Sequence, residues 1–192
     1  MKELSNRTLN IAASLTVAID TLAKQLIAEG KDIVSLGAGE PDFGTPEPIQ
    51  EAACKAIKAG KTRYTAPVGI LEVRTAVADK LKTENGLDYK PEQIIMTSGA
   101  KHAVFNALAA LVNEGDEVII PAPYWVTYPE LVKWLGGKPV FVESTKETGF
   151  KISAEQLRAA CTEKTKAILL NNPCHPTGAV YSKDELPLQK SS

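Results

Sequence analysis

The segment with the clearest potential for chemistry is Thr97-Ser98-Gly99-Ala100-Lys101, which leads from an apolar run into a helical pattern. Backbone N–H groups at the start of a helix, together with the helix dipole, bind anions and suit a phosphate well. The same residues also fit a structural role, with Ser98 as an N-cap and Gly99 in a tight turn. Taken alone, the segment leaves both interpretations open.

Three further segments carry residues suited to a ligand site. Pro123-Tyr124-Trp125 follows an apolar run, and its indole could either stack on a planar ring or cover the core. Residues 171–178 (NNPCHPTG) form a loop held by two prolines. Residues 37–43 (GAGEPDF) contain two glycines, which permit close backbone approach to a ligand or a simple bend.

Alternating helical and extended patterns must position these segments. Helices are predicted from Pro46 to Gly60, from Ile70 to Gly86 and over residues 101–112, and a Ser153/Gln156 capping box predicts another. Four short apolar runs without polar alternation predict strands that are buried on both faces. These runs cover residues 94–97, 117–120, 139–142 and 167–170. The order predicts an α/β fold with a parallel sheet and right-handed crossovers.

Composition excludes several classes of function. The 22 basic and 23 acidic side chains nearly cancel, so neither nucleic acid nor an anionic membrane is expected as a partner. The cysteines Cys54, Cys161 and Cys174 form no CxxC pair, and a metal site is not expected. An odd number of scattered cysteines suits a reducing compartment, and we expect a cytoplasmic location.

The apolar run at residues 11–19 allows two interpretations. It resembles the core of a signal peptide, but Glu3 precedes it and Asp20 ends it. Leu22, Leu26 and Ile27 continue the pattern at helical spacing, which favours an amphipathic helix.

Five ordered motifs together resemble the class I aminotransferases, in particular the aspartate and aspartate/prephenate branch. They are GAGEPDF at 37–43, the tyrosine of KTRYTAP, SGAK at 98–101, PAPYWVTYPE at 121–130 and NNPCHPTGAVY at 171–181. The resemblance implies a fold-type I enzyme that uses pyridoxal 5′-phosphate to exchange an amino group between an amino acid and a 2-oxo acid. It also implies a homodimer with its active site at the subunit interface.

The resemblance implies cofactor-binding roles for several residues. Ser98, Gly99, Ala100 and Lys101 correspond to the turn that binds the cofactor phosphate. Trp125 corresponds to the aromatic residue that stacks on the pyridine ring.

Further roles concern the neighbouring subunit and the substrate. Tyr64 matches a tyrosine that reaches the phosphate in the neighbouring subunit, and Gly39 matches a backbone contact to the substrate carboxylate. Thr16 and Lys101 match residues that recognise the distal carboxylate of an acidic substrate, where a cation is physically suited. Trp125 and His175 also face the substrate in this resemblance.

His175 departs from the family pattern, which has Asn as the donor to the phenolic oxygen of the cofactor. Both side chains place a nitrogen on Cγ, so Nδ1–H of His175 could replace that donor. The larger ring could also displace the cofactor.

The resemblance covers an N-terminal half, so residues 1–45 are expected to form an N-terminal arm and the start of a small domain. Residues 46–186 are expected to form half of the cofactor-binding domain. The Ser182/Glu185 capping box predicts the start of a helix, which Pro187 would interrupt. Residues 187–192 are therefore expected to form an aberrant tail.

The family's Schiff-base lysine, pyridine-facing Asp and carboxylate-binding Arg would all follow residue 192. The chain by itself is therefore expected to be inactive, and the run at 94–97 is expected to lose its strand partner. Two alternatives remain open: a non-catalytic subunit that dimerises with full-length relatives, and another fold-type I enzyme such as a lyase.

Overall fold

A computed structural model of the chain describes residues 4–37, 39 and 41–185. It divides into two units, one of residues 14–100 and one in which residues up to 13 join residues from 101 onward. The tail at 187–192 and the helix break at Pro187 lie outside the described residues. The domain boundary at residues 45 and 46 stays a prediction.

The second unit is built on a parallel sheet of three strands, β1 (Glu117–Ala122), β2 (Lys138–Glu143) and β3 (Thr165–Ile168). The strand order is β2-β1-β3, so β1 is central. Both pairings are parallel, and the register with β3 shifts between Glu117 and Val118. The α/β fold with a parallel sheet is confirmed.

Central β1 is the most buried strand, as its unbroken apolar run predicted. Val118, Ile119 and Ile120 are essentially inaccessible to solvent. A core forms where one face of the strand meets two helices, and it consists of Leu108, Val112, Val118, Ile120 and Val132. Each such side chain contributes about 1.5–3 kcal/mol on burial.

The prediction of burial on both faces is wrong for β2 and β3. Phe141 of β2 is 41% exposed and Ile168 of β3 is 40% exposed. Within the described residues each of these strands pairs only with β1, so each is an edge strand of the sheet.

A buried carboxylate at the amino end of β1 links this strand to β2 and to the loop that precedes β3. Glu117 accepts a hydrogen bond from Lys138 Nζ at 2.9 Å and another from Thr162 Oγ1 at 2.7 Å. The bond from Lys138, followed by that from Thr162, lowers the pKa of Glu117. We call these three residues the Glu117 cluster.

Four helices accompany the sheet: α1 (Asn6–Leu9), α5 (Ala100–Leu111), α6 (Thr127–Trp134) and α7 (Ala154–Ala160). Helix α7 begins at the predicted capping box, in which Ser153 and Gln156 exchange side-chain and backbone hydrogen bonds. Helix α6 was not predicted, because Pro129 and the preceding proline-rich loop obscure its start. Its signal is the helical spacing of Tyr128, Leu131, Val132 and Leu135.

The first unit contains α2 (Leu15–Ala28), α3 (Glu47–Lys58), α4 (Leu71–Asn85) and a 3-10 turn at Pro91–Gln93. Helices α3 and α4 are confirmed close to their predicted limits, and the amphipathic helix favoured for the run at residues 11–19 is confirmed from Leu15 onward. Helix α4 ends at Gly86, whose φ of 67° is a left-handed conformation that favours glycine.

The strand predicted at residues 94–97 is not formed. Met96 N–H donates to Val68 O at 3.0 Å, but a single backbone bond does not make a ladder. Ile94 is buried and Ile95 is 64% exposed. The other three predicted strands pair with one another in a single sheet.

The Ser182/Glu185 capping box is confirmed as a turn. Ser182 N–H donates to Glu185 Oε2 at 2.8 Å, and Glu185 N–H donates to Ser182 Oγ at 3.3 Å.

Candidate functional site

The loop between β1 and α6 presents Trp125 at the carboxyl end of the central strand. The indole is half-buried. Tyr128 N–H donates to Trp125 O at 3.0 Å. The two rings meet edge to face, with centroids 5.4 Å apart and planes at 87°. Aromatic quadrupoles favour this arrangement.

A cation lies over the indole. Lys101, in the first turn of α5, places Nζ 5.1 Å from the centroid of the Trp125 ring. A cation–π contact of this kind contributes about 0.5–1 kcal/mol at an exposed site. The contact therefore places a positive charge beside an aromatic face.

His175 completes the group from the loop that follows β3. Its ring centroid lies 6.4 Å from that of Trp125, with the planes tilted by 36°. The backbone N–H of His175 donates to Asn171 Oδ1 at 3.0 Å. We call Lys101, Trp125 and His175 the ring cluster.

The loop that carries His175 is closed by its own hydrogen bonds. Tyr181 N–H donates to Asn172 Oδ1 at 2.9 Å, and Asn172 Nδ2 donates to Tyr181 O at 3.4 Å. The Tyr181 hydroxyl accepts from Ile152 N–H at 2.8 Å. The thiol of Cys174 donates to Pro123 O at 3.5 Å, which ties this loop to the loop of Trp125.

A cavity of about 20 Å³ lies between these loops, with room for roughly one water molecule. It is lined by Pro121, Ala122, Pro123, Tyr124, Tyr128, Phe150, Leu169, Leu170, Asn171, Cys174, His175 and Tyr181. The pKa of the Tyr128 hydroxyl is raised, mainly because the group is partly buried. The cavity is too small to enclose a cofactor.

The turn at residues 97–101 is open. Gly99 has a φ of 84°, and a Cβ built on it would meet no atom within 4 Å. Gly99 N–H donates to Thr97 O at 2.9 Å, and Thr97 Oγ1 donates to Gly99 O at 3.1 Å. Ala100 then begins α5, and Ser98 is exposed. The backbone therefore stays accessible at the amino end of a 12-residue helix.

The remaining predicted residues belong to the unit of residues 14–100. Thr16 lies in the first turn of α2, with its Oγ1 2.8 Å from Ser14 Oγ. Gly39 has open space where a side chain would be, and Tyr64 is fully exposed beside an open depression. Ala38 and Glu40 of the same motif as Gly39 lie outside the described residues.

The structure thus brings Lys101, Trp125 and His175 together and describes Thr16, Gly39, Tyr64, Ser98, Gly99 and Ala100 individually. Sequence reasoning missed Tyr128. Its signal was an aromatic residue three positions after Trp125, which a helical turn places beside it.

The described part of the chain lacks two other kinds of feature, a metal-binding cluster and a membrane-spanning helix. No group of three or more His, Cys, Asp and Glu side chains there could hold a metal ion. None of the helices described there combines the length and the apolarity needed to cross a membrane.

Comparison with known proteins identifies the family. The family model for "Aminotransferase class I and II" matches residues 31–187. The chain belongs to the class I and II aminotransferases.

Individual relatives agree with this assignment. The chain is 50% identical over 184 residues to an aspartate aminotransferase of Bacillus subtilis, covering 96% of this chain and 47% of that protein. It is also 50% identical to an aspartate/prephenate aminotransferase of Cereibacter sphaeroides, covering 97% and 46%. The chain therefore spans about half the length of the curated relatives it matches.

Solved structures give the same result. The aspartate aminotransferase of Thermus thermophilus with maleate superposes with a TM-score of 0.93 at 49% identity. The match covers 96% of this chain and 48% of that one. This confirms the fold-type I architecture.

Proposed function

We propose that this chain contributes the N-terminal half of the active site of a pyridoxal-phosphate aminotransferase that acts on aspartate or another acidic amino acid. The ring cluster carries the proposal, because a half-buried indole with a cation over its ring lies beside an imidazole at the carboxyl ends of parallel strands. Open α/β sheets bind ligands at this edge. The names of the relatives support the substrate class.

The residues present fit pyridoxal phosphate. A planar pyridine requires an aromatic face, which Trp125 offers. A phosphate requires cations and backbone N–H groups. The exposed turn of Ser98, Gly99 and Ala100 offers the amino end and the dipole of α5, and the Gly99 N–H would have to exchange its bond to Thr97 O for one to the phosphate. Lys101 adds positive charge.

When bound, the cofactor supplies an electron sink for bond breaking at the Cα atom of the amino acid. In this proposal Ser98, Gly99 and Ala100 bind the phosphate and Trp125 fixes the plane of the ring. His175 holds a proton on Nδ1 and donates it in a hydrogen bond to the phenolic oxygen, in place of an asparagine.

Three residues are proposed to bind the substrate. Lys101 and Thr16 bind the distal carboxylate, for which a charge-assisted bond compensates the loss of water. The backbone of Gly39 contacts the other carboxylate.

We also propose a homodimer in which Tyr64 reaches the cofactor phosphate of the neighbouring subunit. Its full exposure supports this assignment. A cytoplasmic location is proposed as well, which Cys54, Cys161 and Cys174 support as free thiols.

A chimera tests the function directly. In the chimera, this chain replaces the matched segment of the Bacillus subtilis relative. Amino transfer from aspartate to 2-oxoglutarate is then measured. We expect activity, and we expect Lys101→Met to raise KM for aspartate by roughly 10- to 100-fold through loss of a charged hydrogen bond. Lys146→Met, which changes an exposed lysine on a surface turn, serves as the matched control.

Two results would argue against the proposal. One is a soluble chimera that binds the cofactor but transfers no amino group from aspartate. The other is an equal change of KM in both lysine variants. His175→Ala should weaken cofactor binding more than His175→Asn, because only the asparagine retains a donor on Cγ.

A further inference from the structure

Trp125 contacts a neighbour, Tyr128, that the proposed function does not use. Trp125 lies in a loop, whereas Tyr128 lies in the first turn of α6 and packs against the core. The edge-to-face contact and the bond from Tyr128 N–H to Trp125 O join the two residues at both ring and backbone.

We propose that Tyr128 is a positioning residue that fixes the plane of the Trp125 indole for stacking on a planar heteroaromatic ligand. The inference rests on the proposed function in one respect, namely that Trp125 stacks on the cofactor. The Tyr128 ring itself does not touch the ligand in this proposal.

The packing of Tyr128 explains how it can hold the indole. The next residue, Pro129, is buried, and Val132 one turn further along α6 belongs to the core. Burial raises the pKa of the Tyr128 hydroxyl, in agreement with a ring enclosed by protein. Tyr128 is therefore held in place by α6 and the core, and it can in turn hold Trp125 in the preceding loop.

The other two neighbours of Trp125 are less suited to this role. Lys101 is a flexible chain that contacts the ring from an exposed position. His175 is exposed, and its ring is 6.4 Å away. An edge-to-face pair instead restricts the indole to one plane.

The chain contains a matched control. Tyr124 belongs to the same loop, but its ring stacks on Phe141 of β2, with centroids 4.9 Å apart and planes at 13°. Tyr124→Leu and Tyr128→Leu thus remove the same side chain from neighbouring positions with different partners.

The test uses the whole chain with Trp134→Phe, which leaves Trp125 as its single tryptophan. Near-ultraviolet circular dichroism and fluorescence anisotropy report the order of the Trp125 ring. Quenching on titration with pyridoxal phosphate reports affinity.

We expect Tyr128→Leu to abolish most of the tryptophan dichroism and to weaken cofactor binding by roughly two- to tenfold, in line with the contribution of an aromatic pair. Tyr128→Phe should restore both signals, and Tyr124→Leu should retain the dichroism. An unchanged Trp125 spectrum in a folded Tyr128→Leu protein would overturn the inference.

A measurement on the unsubstituted chain covers the case in which the leucine variant does not fold. Nuclear Overhauser contacts between the Trp125 and Tyr128 ring protons are expected, and their absence would refute the contact. Failure of the proposed function has a different signature: Trp125→Phe, whose cofactor affinity is measured by equilibrium dialysis because no tryptophan remains, would leave that affinity unchanged while Tyr128→Leu still altered the order of the indole.

Discussion

At the scale of single residues, the site combines conformations that only certain side chains allow. Gly99 lies at a φ of 84° between the extended residues 94–97 and α5. The open space around it means that a methyl group would meet no neighbour, so the constraint at this position is conformational. Gly99 shares this left-handed conformation with Gly86 and Gly178 but not with Gly44.

Gly99→Ala is therefore expected to destabilise the chain by about 1 kcal/mol through the left-handed conformation alone. Urea unfolding measures the change. Gly44→Ala is the control, because Gly44 also has open space but no positive φ and should be nearly neutral. Equal effects of the two substitutions would show that conformation is not the cause.

At the scale of elements, local signals predicted most of the fold. Helices α3, α4 and α7 were predictable because a proline, a terminal glycine or a capping box marks an end of each. Helix α6 was not, because its proline-rich approach hides the helical spacing that follows. The prediction of a strand at residues 94–97 failed for a nonlocal reason. A strand requires a hydrogen-bonding partner, which its own sequence does not encode.

The candidate site was likewise predictable only where local sequence signals define it. The motifs predicted that Trp125 and His175 serve one ligand, and both follow strands of a single sheet. The edge-to-face contact of Trp125 with Tyr128 depends on α6, so it could not be predicted while that helix was missed.

Helix α6 also holds the N-terminal arm, residues 4–13. Glu130 Oε2 accepts from Ala12 N–H at 3.1 Å, and Glu130 Oε1 accepts from Lys133 Nζ at 2.9 Å. Partial burial raises the pKa of Glu130, but the bonds from Lys133 and Ala12 outweigh it, so the pKa is lowered overall. The carboxylate thus stays charged and retains both donors.

Glu130→Ala is expected to release the arm and to speed tryptic cleavage at Arg7 by roughly two- to tenfold, the value of one hydrogen bond. Glu130→Gln keeps an acceptor for Ala12 N–H and should be cleaved more slowly than the alanine variant. Lys133→Met removes the ion pair alone. Identical cleavage rates in all variants would rule out a role for Glu130 in holding the arm.

At the scale of the whole molecule, we expect stability to depend on pH through Glu185. Lys151 Nζ donates to Glu185 Oε1 at 2.5 Å. This bond, followed by the bond from Ser182 N–H, lowers the pKa of Glu185 from 4.5 to about 2. A lowered pKa in the folded state contributes stability above the unfolded value and loses it as pH falls through the folded value.

The contribution of Glu185 should therefore be complete at pH 7 and disappear between about pH 4.5 and pH 2. Urea midpoints of the chain and of Glu185→Gln should differ at pH 7 and converge near pH 2. Lys151→Met should remove most of the same difference. Parallel midpoints across this range would contradict the assignment.

The Glu117 cluster lies at one end of β1 and the ring cluster follows the other. Strand pairing is thus secured at the amino end, away from the segments that present side chains to a ligand. A library that varies residues 123–128 and 171–181 would leave Glu117, Lys138 and Thr162 unchanged. The residues that link β1 to its neighbours thus differ from those proposed to face a ligand, and the latter can be varied separately if Tyr128 and Tyr181, which pack inside the protein, are kept.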